Sequence, residues 1–269
     1  VPPDGFSGNC RLEYTSLQNL ALPKNKTTLQ ILPRAASNMQ WELTPNILFH
    51  FDQQTTRFDR KIGIDGWRMD LHPYIEIPWE LAGGGISANL QLGSHHTRYW
   101  LQQTNATNRL PTRSTAEASL EMRSDFERIS EERTWRHTLS PILRYDYIDA
   151  PVQSTLPNLD SGFGRLTWNN LLSGNRFGGF DRIEKTNRIS LLLESRLQHK
   201  PDAEQAARNL LTLRAGASYD QRRVSVDPAL QAAATRPFSN LLAGAAWYPV
   251  AGFHLSAEGQ YNPAERYWA

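Results

Sequence analysis

Along much of this chain apolar and polar residues alternate with period two, the signature of strands that bury or expose one whole face. Trp67, Met69, Leu71, Ile75, Ile77 and Trp79 fall on one face, and Arg68, Asp70, His72, Tyr74 and Glu76 on the other. Pro73 and Pro78 interrupt that run, which is unusual inside a ladder. Leu211, Leu213, Ala215, Ala217 and Tyr219 oppose Thr212, Arg214, Gly216, Ser218 and Asp220. Phe253, Leu255, Ala257 and Tyr261 oppose His254, Ser256, Glu258 and Gln260. Similar segments occur at 47–52, 86–92, 116–123, 139–147 and 189–197, with weaker ones near 12–17, 27–34 and 241–248. The pattern predicts about ten strands of roughly 8–12 residues, the length of a tilted bilayer span. Aromatic residues, including Trp67, Trp79, Tyr145, Tyr147, Tyr219, Trp247 and Tyr261, sit near the ends of the apolar rows, as in interfacial girdles.

The predicted connections alternate in character. Ala82–Gly85 and Pro249–Gly252 are short; Gln102–Pro111, Ile148–Lys185, Gln198–Arg208 and Ser225–Pro237 are long and polar. Short turns on one rim and long loops on the other fit a bacterial barrel. A soluble β-sandwich with one wet face alternates as well. Strand length and the mixture of charges on the polar rows favour the barrel over it.

Composition narrows the choice. Of 269 residues, 39% are hydrophobic and 21% charged, and the mean hydropathy is −0.55. No run approaches the eighteen or so apolar residues of a membrane helix, whereas a barrel keeps mean hydropathy low because only alternate residues meet lipid. The net charge of +2 with dispersed basic residues gives no nucleic-acid footprint. The lone Cys10 has no partner for an internal disulfide and reads as a loop thiol.

Catalytic constellations fail on inspection. Gly83-Gly84-Gly85 lacks the following Lys and Ser/Thr of a phosphate loop. Ser161 and Ser218 lack a nucleophile elbow. His95 and His96 are adjacent, so on a strand they point to opposite faces and cannot chelate one metal. His137 with Ser140, or His254 with Ser256, could be imagined as a lipase pair, but solvated polar residues explain both. Asn25-Lys26-Thr27 and Asn105-Ala106-Thr107 match the short glycosylation pattern. No catalytic residue, metal or cofactor is expected. The charges of the polar rows are the positive signal. Arg68, Asp70, His72, Arg144, Arg214, Asp220 and Glu258 are the candidate lumen-facing residues, since each charge turned to midplane lipid costs up to about 2–4 kcal/mol.

Two stretches carry more than pattern. Thr138–Ile148 reads TLSPILRYDYI, a tyrosine-rich strand end before a long loop. That loop holds Asp160-Ser161, an aromatic-polar stretch from Leu166 to Leu172, and then Asn175, Arg176, Phe177, Gly179, Asp181, Arg182 and Ile183. Asn187 and a strand ending at Ser195-Arg196-Leu197 follow. Upstream lie Gly66–Pro73, reading GWRMDLHP, and Thr97-Arg98-Tyr99. This ordered text resembles the LPS-assembly protein LptD family, also called organic solvent tolerance proteins, from about Thr28 to Tyr261. The resemblance implies an all-β, antiparallel transmembrane β-barrel in the outer membrane of Gram-negative bacteria, with residues 1–269 forming a segment of a much larger barrel. The family's periplasmic jellyroll, first strands, closing strands and paired cysteines are not visible here. It further implies delivery of lipopolysaccharide to the outer leaflet without bond chemistry. The implied partners are a plug lipoprotein of the LptE kind, periplasmic lipopolysaccharide bridge proteins, lipopolysaccharide and outer-membrane lipid. A general porin-like solute channel is the alternative, and after it a soluble β-sandwich binding module. Asn175, Arg176, Phe177, Gly179, Asp181 and Arg182 form the candidate lumen loop or partner contact. Asp181 and Arg182 either touch partner or cargo, or pair with each other or the barrel wall.

Overall fold

The structure is a computed structural model that describes residues 5–17, 28–102, 108–200, 206–221, 237–250, 252–263 and 266–268. The two glycosylation matches, most of Ser225–Pro237 and parts of Gln102–Pro111 and Gln198–Arg208 lie outside those residues.

The main strands are β1 (Phe6–Thr15), β2 (Gln30–Thr44), β3 (Ile47–Asp59), β4 (Asp65–Leu81), β5 (Ile86–Gln102), β6 (Thr112–Ser124), β7 (Phe126–Ile129) and β8 (Trp135–Asp149). After a long loop with two short strands, β9 (Gly162–Phe163) and β10 (Phe177–Gly178), and one helical turn, α1 (Trp168–Leu171), come β11 (Thr186–His199) and β12 (Arg208–Asp220). The chain ends with β13 (Leu241–Val250), β14 (Phe253–Asn262) and β15 (Tyr267–Trp268). One sheet runs β1-β2-β3-β4-β5-β6-β8-β11-β12-β13-β14-β15, each strand antiparallel to the next. This is an up-and-down meander. β7 prolongs β6 past Asp125 and pairs with β8; β9 and β10 form a separate hairpin inside the loop. Among the described residues the sheet does not close, so β1 and β15 are its edges.

β1, β13 and β14 have 10 residues, within the predicted 8–12, but the central strands exceed it: β4 and β5 have 17, β2 and β8 have 15. The apolar alternation marks only the stretch that needs a greasy face. Backbone pairing continues beyond it through polar text such as Thr97-Arg98-Tyr99, where nothing in the hydropathy announces a strand. Pro73 sits inside a central strand, contrary to the usual confinement of proline to edges. It pairs with Phe51 on β3, but the β4–β5 ladder skips from Leu71↔His96 to Tyr74↔Gly93. The segment predicted as the long loop Gln198–Arg208 connects β11 to β12 on the short-turn rim, and both strands extend into it.

Burial is inverted relative to a water-soluble sheet. Leu191 is 50% exposed, Leu213 43% and Leu255 53%, whereas Arg68, Arg188 and Asp181 are at 1% or below. In register, Leu191 lies between Leu143 and Ala217 and Ile189 between Tyr145 and Tyr219, so the exposed apolar residues form continuous rows. The informative departures from ordinary burial are these apolar rows and the buried charges. A wall with lipid outside and water inside requires that arrangement, because backbone groups are satisfied by pairing and side chains sort by face. The buried apolar clusters are small: Tyr99, Leu101 and Leu156 in one, Ile148, Ala150 and Ile183 in the other. Both lie where the loop between β8 and β11 meets the polar face.

Candidate functional site

Residues 150–185 do not stand away from the sheet. They lie as a strap over its polar face and touch eight successive strands. One lobe meets β4, β5 and β6 through Arg68, Tyr99 and Arg113. Gly174 rests on Asp146 and Ile148 of β8, and its carbonyl accepts from Thr186 of β11. The other lobe places Leu171 over Gly216 of β12 and Trp168 over Gly244 of β13, while the Leu166 carbonyl accepts from Gln260 of β14. A Cβ on Gly216 would come within 2.4 Å of Leu171 Cδ2 and 3.1 Å of the Leu191 carbonyl, so only glycine lets the helical turn seat there. The turn itself starts at a capping box, Thr167 with Asn170.

The centre of the strap is a clasp around Asp181. Its Oδ1 accepts from Arg68 Nη1 at 2.8 Å and Tyr99 Oη at 2.8 Å. Its Oδ2 accepts the backbone N–H groups of Leu159 at 2.5 Å and Asp160 at 2.7 Å. Arg68 also grips Asp160 with two bonds of 2.6 and 2.7 Å, and its guanidinium lies over the rings of Phe58 and Phe180. Ser161 Oγ accepts the N–H groups of Asp181 and Arg182. Arg113 donates to the carbonyls of Phe180 and Asp181 and to Gln153 Oε1. Gln153 closes the web by donating to the Ile183 carbonyl and accepting the Ile183 N–H. Burial pushes the Asp160 carboxyl up, but the Arg68 hydrogen bonds and charge outweigh it and hold Asp160 below its ordinary value. Asp181, more deeply buried and next to that second carboxylate, is raised despite the pull of Arg68.

A second clasp closes the strap's exit. Arg176 donates to both oxygens of Glu184, and Arg188 of β11 pairs with Glu184 at 2.8 Å and Asp220 at 3.2 Å while donating to the Ser173 carbonyl. Burial works to raise Glu184, yet the two arginines leave it below its ordinary value.

Every residue of the predicted motif falls in this web. Asn175 Oδ1 accepts the N–H groups of Phe177 and Glu184. Phe177 meets Phe163 edge-on. Gly179 has φ of 75°, and a Cβ there would approach the Asp160 carbonyl at 2.5 Å. Arg182 and the Asp181 carboxylate do not pair with each other. Arg182 donates instead to the carbonyls of Leu156, Pro157 and Asp181, and the carboxylate goes to the sheet.

The seven polar-row candidates all share the strap's face. Arg68 and Asp70 are buried; His72, Arg144 and Asp220 are half-buried; Arg214 and Glu258 are exposed, with Arg214 bonded to Glu194. The lipase pairings do not form: His137 meets Ser195 at 2.8 Å, and Ser140 donates to Asp125. His95 and His96 do point apart, but His95 meets His72 of β4 and Glu117 of β6 across the strands. Arg113, Tyr99 and Gln153 were missed because their partners are far along the chain, and Arg188 because its partners Glu184 and Asp220 lie on a loop and a neighbouring strand. For the strand residues Tyr99, Arg113 and Arg188 the one signal is an arginine or large side chain on a polar row near the loop end of a strand; Gln153, in the loop, has none.

The comparisons with known proteins agree on one family. The model of LptD, described as LPS transport system D, matches residues 6–268. The protein is 29% identical over 175 residues to the LPS-assembly protein LptD of Nitrosospira multiformis, which is 64% of this chain and 18% of that protein. It is 29% identical over 190 residues to that of Neisseria meningitidis serogroup B, 69% of this chain and 23% of the relative. It is 28% identical over 203 residues to that of Alcanivorax borkumensis, 74% and 26%. The matched region thus spans about a fifth to a quarter of the length of these curated relatives. With a match along nearly its whole length, in an antiparallel sheet that turns apolar rows outward and charged rows under a strap, the chain belongs to the LptD family of outer-membrane β-barrels.

Proposed function

We propose that this chain is wall and internal strap of an outer-membrane barrel that receives lipopolysaccharide from the periplasmic side and delivers it to the outer leaflet. The observation that carries the reading is the strap across the polar face of eight strands. A passive solute pore gains from an open lumen, whereas a strap tied down by buried ion pairs narrows the water-filled space and leaves room for a guided, amphiphilic cargo. The polar rows line that lumen. The motif from Asn175 to Arg182 acts as a clasp that holds the strap in shape. Contact with a plug lipoprotein of the LptE kind then goes through the strap's exposed surface, around Gly162, Phe163 and Gly178, rather than through the buried Asp181 and Arg182. The step needs no bond chemistry and no cofactor.

The test uses the full-length protein in cells and in purified form. Opening the clasp with the double substitution Arg68→Ala and Asp181→Asn is expected to lower lipopolysaccharide at the cell surface, to raise sensitivity to bulky hydrophobic antibiotics, and to leave the protein in the membrane. In a planar bilayer the wild-type complex with its lipoprotein is expected to be nearly closed to ions. Steady conductance from the wild-type complex, together with unchanged surface lipopolysaccharide when the protein is depleted, would overturn the proposal in favour of a solute channel.

A further inference from the structure

Three adjacent strands bring His72, His95 and Glu117 together on the polar face, with one ligand-type atom from each lying within 4.8 Å of the others. His72 Nε2 lies within hydrogen-bond distance of one Glu117 oxygen, and His95 Nε2 faces the other at 3.5 Å. The far nitrogens are backed by carboxylates: His95 Nδ1 lies 3.4 Å from Asp70, and His72 Nδ1 lies 3.8 Å from Asp52. Asp70 is itself fixed by Thr97, 2.6 Å away, and flanked by Arg113 at 3.8 Å. The two imidazoles are stacked, with centroids 3.8 Å apart and planes 6° from parallel.

The gap between the three side chains is walled by two imidazole nitrogens and one carboxylate, a donor set that a single cation could share. A single dication beside both Nε2 atoms and the Glu117 carboxylate satisfies all three donors at once. Histidine ligands that hold a metal commonly donate their second nitrogen to a carboxylate, which is the role Asp70 and Asp52 are placed to fill. Two imidazoles and one carboxylate suit zinc better than the oxygen-seeking calcium or magnesium. Zinc bonds of about 2.0–2.2 Å in a tetrahedral set require the His72–Glu117 hydrogen bond to open and the stacked rings to turn so that both Nε2 atoms face one point.

We propose that His72, His95 and Glu117 form a zinc site on the inner wall, with Asp52 and Asp70 orienting the two imidazoles. The site joins β4, β5 and β6 by their side chains, two residues along β4 and β5 from Asp70 and Thr97, which link to the clasp through Arg113. A metal there cross-links the three strands on which the clasp is seated. It also leaves one coordination position for water or an oxyanion.

The experiment is metal titration of the full-length protein, purified from membranes in detergent with a histidine-free affinity tag and stripped with chelator. Cobalt(II) is the probe, read by its visible absorption, and zinc is the competitor. One equivalent of cobalt is expected to bind with a tetrahedral spectrum and to be displaced by zinc. His95→Ala and Glu117→Gln are expected each to weaken binding by more than about 100-fold, and Asp70→Asn by about 10–100-fold. His50→Ala, on the same face but outside the triad, is expected to bind as wild type. Heat-dependent gel mobility checks that each variant is folded. Absence of a stoichiometric tetrahedral signal in the wild type overturns the proposal, as does undiminished affinity in both folded His95→Ala and Glu117→Gln variants, or loss of the site in His50→Ala.

Discussion

Arg68 shows how much rests on single side chains in a polar interior. Its side chain is 1% exposed, and its guanidinium faces Asp160 and Asp181, residues 92 and 113 positions away. Removing one partner of such a buried group leaves uncompensated charge, at a cost of about 3–5 kcal/mol. Arg68→Ala is therefore expected to free the strap, seen as lost hydrogen-exchange protection at the Leu159 and Asp160 amides that donate to Asp181. Arg68→Lys is expected to rescue little, since a point ammonium cannot make the two bonds to Asp160. Unchanged exchange in Arg68→Ala would refute the clasp. Glu184 gives the clasp a pH dependence. Its folded pKa lies below the ordinary 4.5, so the folded strap favours the carboxylate. That stabilisation is fully present above about pH 4.5 and is lost as pH falls through the lower folded value. Asp160 acts with the same sign and Asp181 with the opposite one. Glu184→Gln is expected to remove its share, so that strap proteolysis at pH 6 and pH 3 differs less than in wild type. Of this site, the sequence disclosed the motif and the polar row holding Arg68. It did not disclose their pairing, because separations of 92 and 113 residues leave no local trace.

At the scale of elements, period-two text located the strands but not their ends. β5 was legible from Ile86 to Leu92, yet it runs to Gln102 because the backbone ladder needs no apolar side chains to continue. The helical turn α1 went unseen, being only four residues long and set by one cap. Its seat makes a sharp test. Gly244→Leu places a side chain where Trp168 Cζ2 is 3.2 Å from a Cβ, an overpacking worth about 1–3 kcal/mol. Protease sensitivity of residues 164–172 is expected to rise. Ala245→Leu, one residue on and directed to the opposite face, is expected to leave the strap intact. Equal sensitivity in the two variants would mean that Trp168 does not hold the strap down.

For the molecule as a whole, the two-sided rows were the most legible feature, since alternation sorts side chains by face whatever the tertiary partners are. Closure was not legible, and the described sheet remains open at β1 and β15. Leu191→Arg on an exposed apolar row is expected to cost about 2–4 kcal/mol near the bilayer midplane, measured by denaturant titration of the full-length protein in lipid vesicles. Equal stability of that variant and wild type would place the row outside the hydrocarbon. The strap carries one more consequence. It is encoded between β8 and β11, yet its fastenings lie on strands made both before and after it. It is thus a caliper of fixed span laid across an arc of wall. Duplicating a hairpin anywhere between β4 and β14 would stretch that arc past the caliper's reach, whereas added hairpins outside it would go unmeasured. Growth of such a barrel is therefore free only beyond the jaws, and the circumference inside them is set by a segment that contributes no strand to the wall.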